Sequence, residues 1–454
     1  MPIIASRRPS KPMGAELKII RTAAEQALIE RFPAAKASLP GGGEVVRLRD
    51  AAFDLIAKRG LPHRRVEEWK YTDLRALMRA AAPLAEKPSA ETVALALSSA
   101  GAFADADVTR ISFVNGHFAP DASDREAPEG VEIIGLPQAL AAGHPLLSEL
   151  GAIAPARENA AYAINTAFMK DGAVIRIAAG TALAQPLHLR FVNSGDQAFA
   201  TASRVLVAVE EGASVTLIES HEGSDGGAHQ LNDVLELAMA DRATVRHVRL
   251  NAEGPQALAL STVVARLGAH VSFDTLNVVT GAAVSRHQVF LTFAGEHSKA
   301  NVNGATMLKA SQHADTTLLV DHAAPHCESR ELFKTAVDGT ATGVFQGKII
   351  VRPHAQKTDG RMMSRAVLLS EGGTMMNKPE LEIFADDVQC GHGATCGELD
   401  ENLLFYLMAR GLPRPQAETL LLQAFLGEAI EVVEDDGLRE TLVGMLEGWL
   451  EARH

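Results

Sequence analysis

The chain has 454 residues, of which 47% are hydrophobic and 22% are charged. This composition excludes wholesale disorder, and the length predicts two or three domains. The 43 Lys and Arg residues are outnumbered by 56 Asp and Glu residues, and the resulting net charge of −13 argues against a nucleic-acid partner, because such binding depends on neutralising phosphate.

Residues 1–160 are predicted to form a mostly helical N-terminal domain. Apolar residues recur at helical spacing from Leu17 to Phe32 and from Val45 to Lys58, and Gly60 ends the second helix. A further helical segment is expected from Arg64 to Ala81, and a short extended piece from Phe113 to Phe118.

Residues 161–396 are predicted to form a β-helix core, because short strands with alternating apolar and polar residues replace the helical pattern. Turns at positions 180, 212, 242 and 268 separate them, at spacings of 32, 30 and 26 residues. A recurrence of this length is typical of a solenoid or propeller, and no long helical pattern interrupts it. A pair of β-sandwiches is the alternative. The clearest strands are Ala173 to Ile177, Leu187 to Val192, Arg204 to Val209, Ser214 to Glu219, Val234 to Met239, Thr244 to Leu250 and Val271 to Val279.

Residues 397–454 are predicted to form a C-terminal helical domain, which would cap the end of the solenoid. In its first helix, Leu399, Leu403 and Leu407 form one stripe that is expected to pack on the last coil. Phe405 and Arg410 lie off this stripe and are expected to face outward. A second helix near Pro415 and a third from Leu438 to Arg453 follow.

The three cysteines, Cys327, Cys390 and Cys396, are too few for a four-cysteine cluster or zinc site within one chain. No apolar run approaches the roughly 20 residues of a membrane span, and none near the N-terminus is long enough for a secretory signal. We therefore expect a cytoplasmic protein with no membrane partner and no structural disulfides. A phosphate-binding Walker loop is also missing: the stretch from Gly343 to Ile349 is one residue short and lacks Ser or Thr after its Lys.

One cluster of chemically active residues lies at the end of the strand region. Cys390 and His392 are two residues apart, a spacing that points both side chains to one face of an extended segment. A thiolate and an imidazole together suit a soft or borderline metal such as iron or zinc. A nucleophile with its base, or a tight turn with a buried Cys, would show the same pattern.

Two other groups of ligand-type residues have simpler interpretations. The segment from Asp321 to Arg330 contains His, Cys and Glu but no clean ligand spacing, so a solvated loop is expected. Four methionines, Met362, Met363, Met375 and Met376, are expected to serve core or interface packing.

Several segments resemble the SufB/SufD family of iron–sulfur cluster assembly proteins. Near the C-terminus they are DHAAPHCESRELFKTAVDGTATGVFQGKIIV, HAQKTDGRMMSRAVLLS and KPELEIFADDVQCGHGATCGELDENLLFYLMARG; upstream they are EEWKYTDLRAL and FVNGHF. The resemblance covers most of the chain, and the E-x-W-K-Y-T element is typical of the SufD side of the family.

The resemblance implies a mainly β protein: a right-handed parallel β-helix flanked by N-terminal and C-terminal helical domains. It also implies a non-catalytic subunit of a complex with a SufB-like scaffold and a SufC-like ABC-type ATPase, and a homodimer is possible for the isolated chain. Iron or an iron–sulfur cluster would be held transiently in the complex, with none tightly bound by the isolated chain.

By the same resemblance, Cys390 and His392 would help to form the nascent cluster at the interface with the partner subunit. Phe405, Tyr406 and Arg410 are candidates for docking the ATPase. Cys396 has no equivalent in the family pattern and is expected to be a small buried thiol. The alternative is a carbohydrate-active lyase or hydrolase, because β-solenoids often carry such enzymes.

Overall fold

The computed structural model describes residues 21–152 and 158–452. The helices are α1 Ala23–Ser38, α2 Glu44–Arg59, α3 Leu74–Leu77, α4 Ala90–Ala96, α5 Leu136–Ala142, α6 Ala160–Phe168, α7 Glu401–Met408, α8 Arg414–Ile430 and α9 Asp436–Glu451. The strands are β1 Thr109–Val114, β2 His117–Phe118, β3 Val131–Gly135, β4 Asp171–Ile177, β5 Leu187–Asn193, β6 Ser203–Val209, β7 Ser214–Gly223, β8 Gln230–Met239, β9 Thr244–Ala252, β10 Leu258–Leu267, β11 Ser272–Val279, β12 Val284–Phe293, β13 Lys299–Leu308, β14 His313–His322, β15 Glu328–Val337, β16 Thr342–Val351, β17 Asp359–Leu368, β18 Thr374–Ile383 and β19 Gln389–Gly397.

The strands form a parallel β-solenoid of about eight turns. From β4 onward, successive strands alternate between two sheets, so each strand pairs in parallel with the strand two places along the chain. This connectivity confirms the predicted β-helix and is not that of a sandwich, whose sheets are antiparallel.

The first sheet-forming strands lie earlier in the chain than the predicted core. β1 pairs in parallel with β5, and β3 pairs antiparallel with β4, so residues 109–135 complete the first end of the solenoid. The domain boundaries at residues 160 and 396 stay a prediction. Strands from both sides of residue 160 pair in the same hydrogen-bonded sheets, so the structure does not separate two domains there.

The N-terminal helices follow the predicted pattern in part. Thr22 and Glu25 form a capping box that starts α1, and the predicted residues 17–20 lie outside the described part of the chain. α2 ends at Gly60, as predicted. The expected helix from Arg64 to Ala81 is wrong: only a single 3₁₀ turn at Glu67–Trp69 and the one-turn helix α3 form there.

Contacts with the solenoid determine the structure of that segment. Trp69 is buried, and the guanidinium carbon of Arg286 lies 3.8 Å from its ring centroid. Arg286 also donates a hydrogen bond to the carbonyl of Glu68 at 2.7 Å. These tertiary contacts prevent the continuous helix that the sequence pattern alone favours in this segment.

Two apolar layers stabilise the solenoid. The inner layer fills the space between the two sheets and runs from Ile111 and Phe113 at one end to Met362 near the other. The outer layer forms where α8 and α9 cover one sheet, with Leu422, Leu426 and neighbouring residues packed on strand residues such as Leu250 and Leu276. The C-terminal helices therefore lie along the side of the solenoid and leave its last coil largely uncovered. Within the described residues, no helix is long and apolar enough to cross a membrane.

Candidate functional site

The last coil of the solenoid ends in two strands with open edges. β18 pairs with β16 and β19 pairs with β17, and each is the terminal strand of its sheet. An edge strand presents unpaired N–H and C=O groups that can pair with another chain. Ile383 and Phe384, at the end of β18, are 41% and 57% exposed. This end of the molecule thus offers both backbone hydrogen-bonding groups and apolar surface.

Cys390 and His392 both lie on β19, on this open coil. They are in register with Gly360 and Met362 of β17, and Met362 belongs to the inner apolar layer. The alternation of a strand places both side chains on the inward-facing side of the sheet, where Cys390 packs against that layer. Cys390 is half-buried and His392 is exposed, so the pair sits at the rim of the open end.

The environment of Cys390 keeps its thiol protonated. Its pKa is raised mainly by burial, and the carboxyl groups of Asp359 and Glu331 add to the effect. A thiolate is the form that binds metal, so an arriving cation would have to displace this proton. Across residues 21–152 and 158–452, no group of three His, Cys, Asp or Glu side chains is arranged to hold a metal ion. Cys390 and His392 thus supply two donors where a tetrahedral site takes four.

Glu331 is a component of this region that the sequence analysis did not identify. It lies on β15 in register with Met362 and hence with His392, two strands away along the same sheet. Its side chain is buried, and neither carboxyl oxygen has a hydrogen-bond partner in the described structure. Burial raises its pKa to about 8, despite opposing effects of Ser329 and Arg330. The sequence feature that could have identified it is a Glu on the same face of the strand as Ser329 and Phe333, the face that points into the solenoid.

The other two cysteines differ in environment. Cys327 is fully buried, its Sγ lies 3.3 Å from the carbonyl oxygen of Gly295, and burial raises its pKa to about 11. Cys396 is exposed, so the expectation of a buried thiol is wrong. It lies four residues beyond His392 on the same strand, about 13 Å away at the usual rise per residue.

The expected solvated loop from Asp321 to Arg330 is also wrong. His322 is buried at the end of β14, and its ring stacks on Phe293 with centroids 4.4 Å apart. Asp321 is buried too and forms two hydrogen bonds of 2.8 Å with Arg352. The segment is a corner of the solenoid, where polar residues next to Pro325 alternate between the interior and solvent.

Helix α7 carries most of the exposed apolar side chains of the C-terminal region. Phe405 is 74% and Tyr406 52% exposed, and the guanidinium of Arg410 lies 4.3 Å from the Tyr406 ring centroid. Leu404 is the buried residue of this helix, whereas Leu403 is 50% exposed, so the predicted stripe through Leu403 is wrong. The expected outward position of Phe405 is confirmed.

Comparison with known proteins gives consistent matches along the chain. The family described as "SUF system FeS cluster assembly, SufBD core domain" matches residues 191–425, and "SufBD protein N-terminal region" matches residues 23–189. An iron–sulfur cluster assembly SufBD family protein of Synechocystis sp. is 33% identical over 86% of this chain and 87% of its own length. The iron–sulfur cluster assembly protein SufD of Escherichia coli is 29% identical over 86% of this chain and 90% of its own. Protein ABCI7, chloroplastic, of Arabidopsis thaliana is 30% identical over 64% of this chain and 62% of its own.

Proposed function

Because the chain belongs to the SufBD family of the SUF iron–sulfur cluster assembly system, we propose that it is a non-catalytic subunit of a cluster assembly complex. Its partners in this proposal are a SufB-like scaffold and a SufC-like ABC-type ATPase. The subunit assists iron acquisition and nascent cluster formation at the interface with the scaffold. Family membership favours this role over the carbohydrate-active enzyme considered from the sequence.

The observation that carries the proposal is the position of Cys390 and His392 on the terminal strand of an open sheet. A partner that extended this sheet would bring its own side chains next to the two donors. Iron bound there as cargo would then have ligands from both subunits, with sulfur and imidazole donors suited to it. The low cysteine count of the chain is consistent with a shared site.

The first test is anaerobic reconstitution of the complex with its scaffold and ATPase partners. Cys390→Ala and His392→Ala should each lower the iron content and the visible absorption of the cluster, without preventing complex assembly in size-exclusion chromatography. Cys396→Ala is the matched control, because it removes an exposed thiol from the same strand and should leave cluster yield unchanged. Wild-type yield from the Cys390→Ala, His392→Ala double variant would contradict the proposed role.

The ATPase is proposed to dock on α7 through Phe405, Tyr406 and Arg410. Aromatic and Arg side chains are frequent anchors of protein interfaces, and these three are exposed on α7 and in the turn that follows it. The helix begins shortly after β19, so docking would place the ATPase near Cys390. Rigid-body motion of the ATPase could then change the interface that holds the site.

Point variants test this docking better than truncation, because α8 and α9 cover the outer apolar layer and their removal would expose it. Phe405→Ala combined with Arg410→Ala should weaken ATPase binding at least tenfold by calorimetry. Leu420→Ala is the control, since Leu420 is 45% exposed on α8. If the α7 variant binds the ATPase as the wild type does, the docking surface lies elsewhere.

The isolated chain is also expected to bind no ATP, because its sequence has no phosphate-binding loop. Calorimetric titration of the single purified chain with Mg–ATP should give no saturable heat. Stoichiometric binding would contradict the assignment of nucleotide chemistry to a partner.

A further inference from the structure

One corner of the solenoid carries a column of residues in the left-handed backbone conformation, one in each successive coil. Backbone hydrogen bonds hold neighbouring coils in register: the N–H of His270 donates to Glu296, and that of His326 to Gln356, both at 2.9 Å. The column consists of Gly180, Gly212, Arg242, His270, His297, His326 and Lys357.

Five of the seven residues in this column carry side chains, although its backbone conformation favours glycine. Its first two positions are glycine, which adopts positive φ without steric cost. The three histidines have φ values of 57°, 60° and 59°, in a region that side chains disfavour. Residues in such a conformation are retained where the surrounding structure or a function requires them. The corner can be built with glycine, so the imidazole side chains themselves call for an explanation.

The three imidazole rings stack along the outside of the solenoid. The ring centroids of His270 and His297 are 5.1 Å apart with planes 12° from parallel, and those of His297 and His326 are 4.7 Å apart at 17°. All three residues are exposed, and no hydrogen bond to any of the three rings is found in the described structure. The cations at either end of the stack are paired, Arg242 with Glu211 and Lys357 with Asp387.

We propose that this histidine column binds one divalent first-row transition-metal ion through two adjacent imidazoles. Imidazole is a preferred ligand for such ions. A tetrahedral ion with bonds of about 2.0–2.1 Å needs two nitrogen donors about 3.3 Å apart. The ring centroids lie 4.7 or 5.1 Å apart, so rotation of two exposed rings about their side-chain bonds can turn one nitrogen of each toward a shared ion at that donor separation. Water completes the coordination, and the site uses neither Cys390 nor His392.

The geometry makes a distinctive prediction about the middle ring. His297 belongs to both possible pairs, so only one ion binds with two imidazoles at a time. His297→Gln should remove both pairs and so weaken binding at least tenfold, whereas His270→Gln and His326→Gln should each leave one pair intact. The His270→Gln, His326→Gln double variant should behave like His297→Gln.

The test is anaerobic titration of the full chain with CoCl₂, followed by visible absorption and calorimetry, with NiCl₂ and CuCl₂ in parallel. The wild type should bind one equivalent with affinity rising from Co²⁺ to Ni²⁺ to Cu²⁺. His297→Gln should bind at least tenfold more weakly, and each outer single variant less than tenfold more weakly. His63→Gln, in the N-terminal segment, is the control and should match the wild type. A Cys390→Ala, His392→Ala variant should also retain the site, which separates this proposal from the proposed cluster role.

His297→Gly is a second variant that tests the role of this imidazole if His297→Gln folds poorly. Glycine suits the backbone at this position, as it does at Gly180 and Gly212, so this variant should fold well and still lose the ion. Circular dichroism and thermal unfolding check the fold of each variant. Wild-type Co²⁺ affinity in either His297 variant, or in the double outer variant, would overturn the proposal.

Discussion

Replacing the buried Glu331 with Gln should change how the stability of this protein depends on pH. Burial raises the pKa of Glu331 from 4.5 to about 8 in the folded chain. The folded state therefore favours the neutral acid, whereas the unfolded chain ionises it from about pH 4.5 upward. The wild type consequently loses stability through this group as the pH rises from about 4.5 to 8, and the loss is constant above that window.

The size of the effect follows from the two pKa values. At about 1.36 kcal/mol for each pH unit, the loss is about 1 kcal/mol at pH 5, about 3 kcal/mol at pH 7 and about 5 kcal/mol at pH 9. Glutamine has nearly the shape of the neutral acid and does not titrate. Glu331→Gln should therefore resemble the wild type near pH 4 and become progressively more stable than it toward pH 9.

Urea unfolding followed by circular dichroism at pH 5, 7 and 9 measures this difference. Subtracting wild type from variant cancels the titration of all groups that the two proteins share, including the buried histidines. Glu371→Gln, at an exposed carboxyl, is the control and should show no such pH dependence. A stability difference between Glu331→Gln and wild type that stays constant from pH 5 to 9 would refute the reasoning.

Four other substitutions test the packing of the solenoid. Gly172→Ala should abolish soluble expression, because the new Cβ would lie 1.8 Å from the carbonyl oxygen of Arg204; Gly180→Ala, with open space around it, should cost about 1 kcal/mol, measured by urea unfolding. Glu236→Gln should lower the free energy of unfolding by about 3–5 kcal/mol, because it breaks a fully buried ion pair with Arg204; retained wild-type stability would show that this pair is dispensable. Phe293→Ala should lower it by about 3–5 kcal/mol through the cavity it leaves in the inner layer, and an unchanged thermal midpoint would contradict that packing role.

The spacing of Cys390 and His392 predicted a shared face correctly, since strand alternation depends only on local geometry. Register with β17 then decided which face that is and placed the pair at an open edge. Glu331 shows the limit of local reasoning: its strand pattern reveals an inward position, but the pKa depends on the coils above and below. The helix predicted from Arg64 to Ala81 does not form for the same reason, because Arg286, more than 200 residues away, contacts Trp69 and holds it in place.

The sequence by itself determined the class of the fold and the order of its parts. Period-two strands, turns that recur about every 30 residues and helical periods at both ends are local properties, and the sheets and helices follow them. Tertiary structure alone decided which residues meet across coils. His270, His297 and His326 are separated by about the length of one coil, but only the register between coils brings their rings into contact. Register between coils is a sum of many backbone hydrogen bonds and side-chain contacts, and it brings together residues that no local pattern connects.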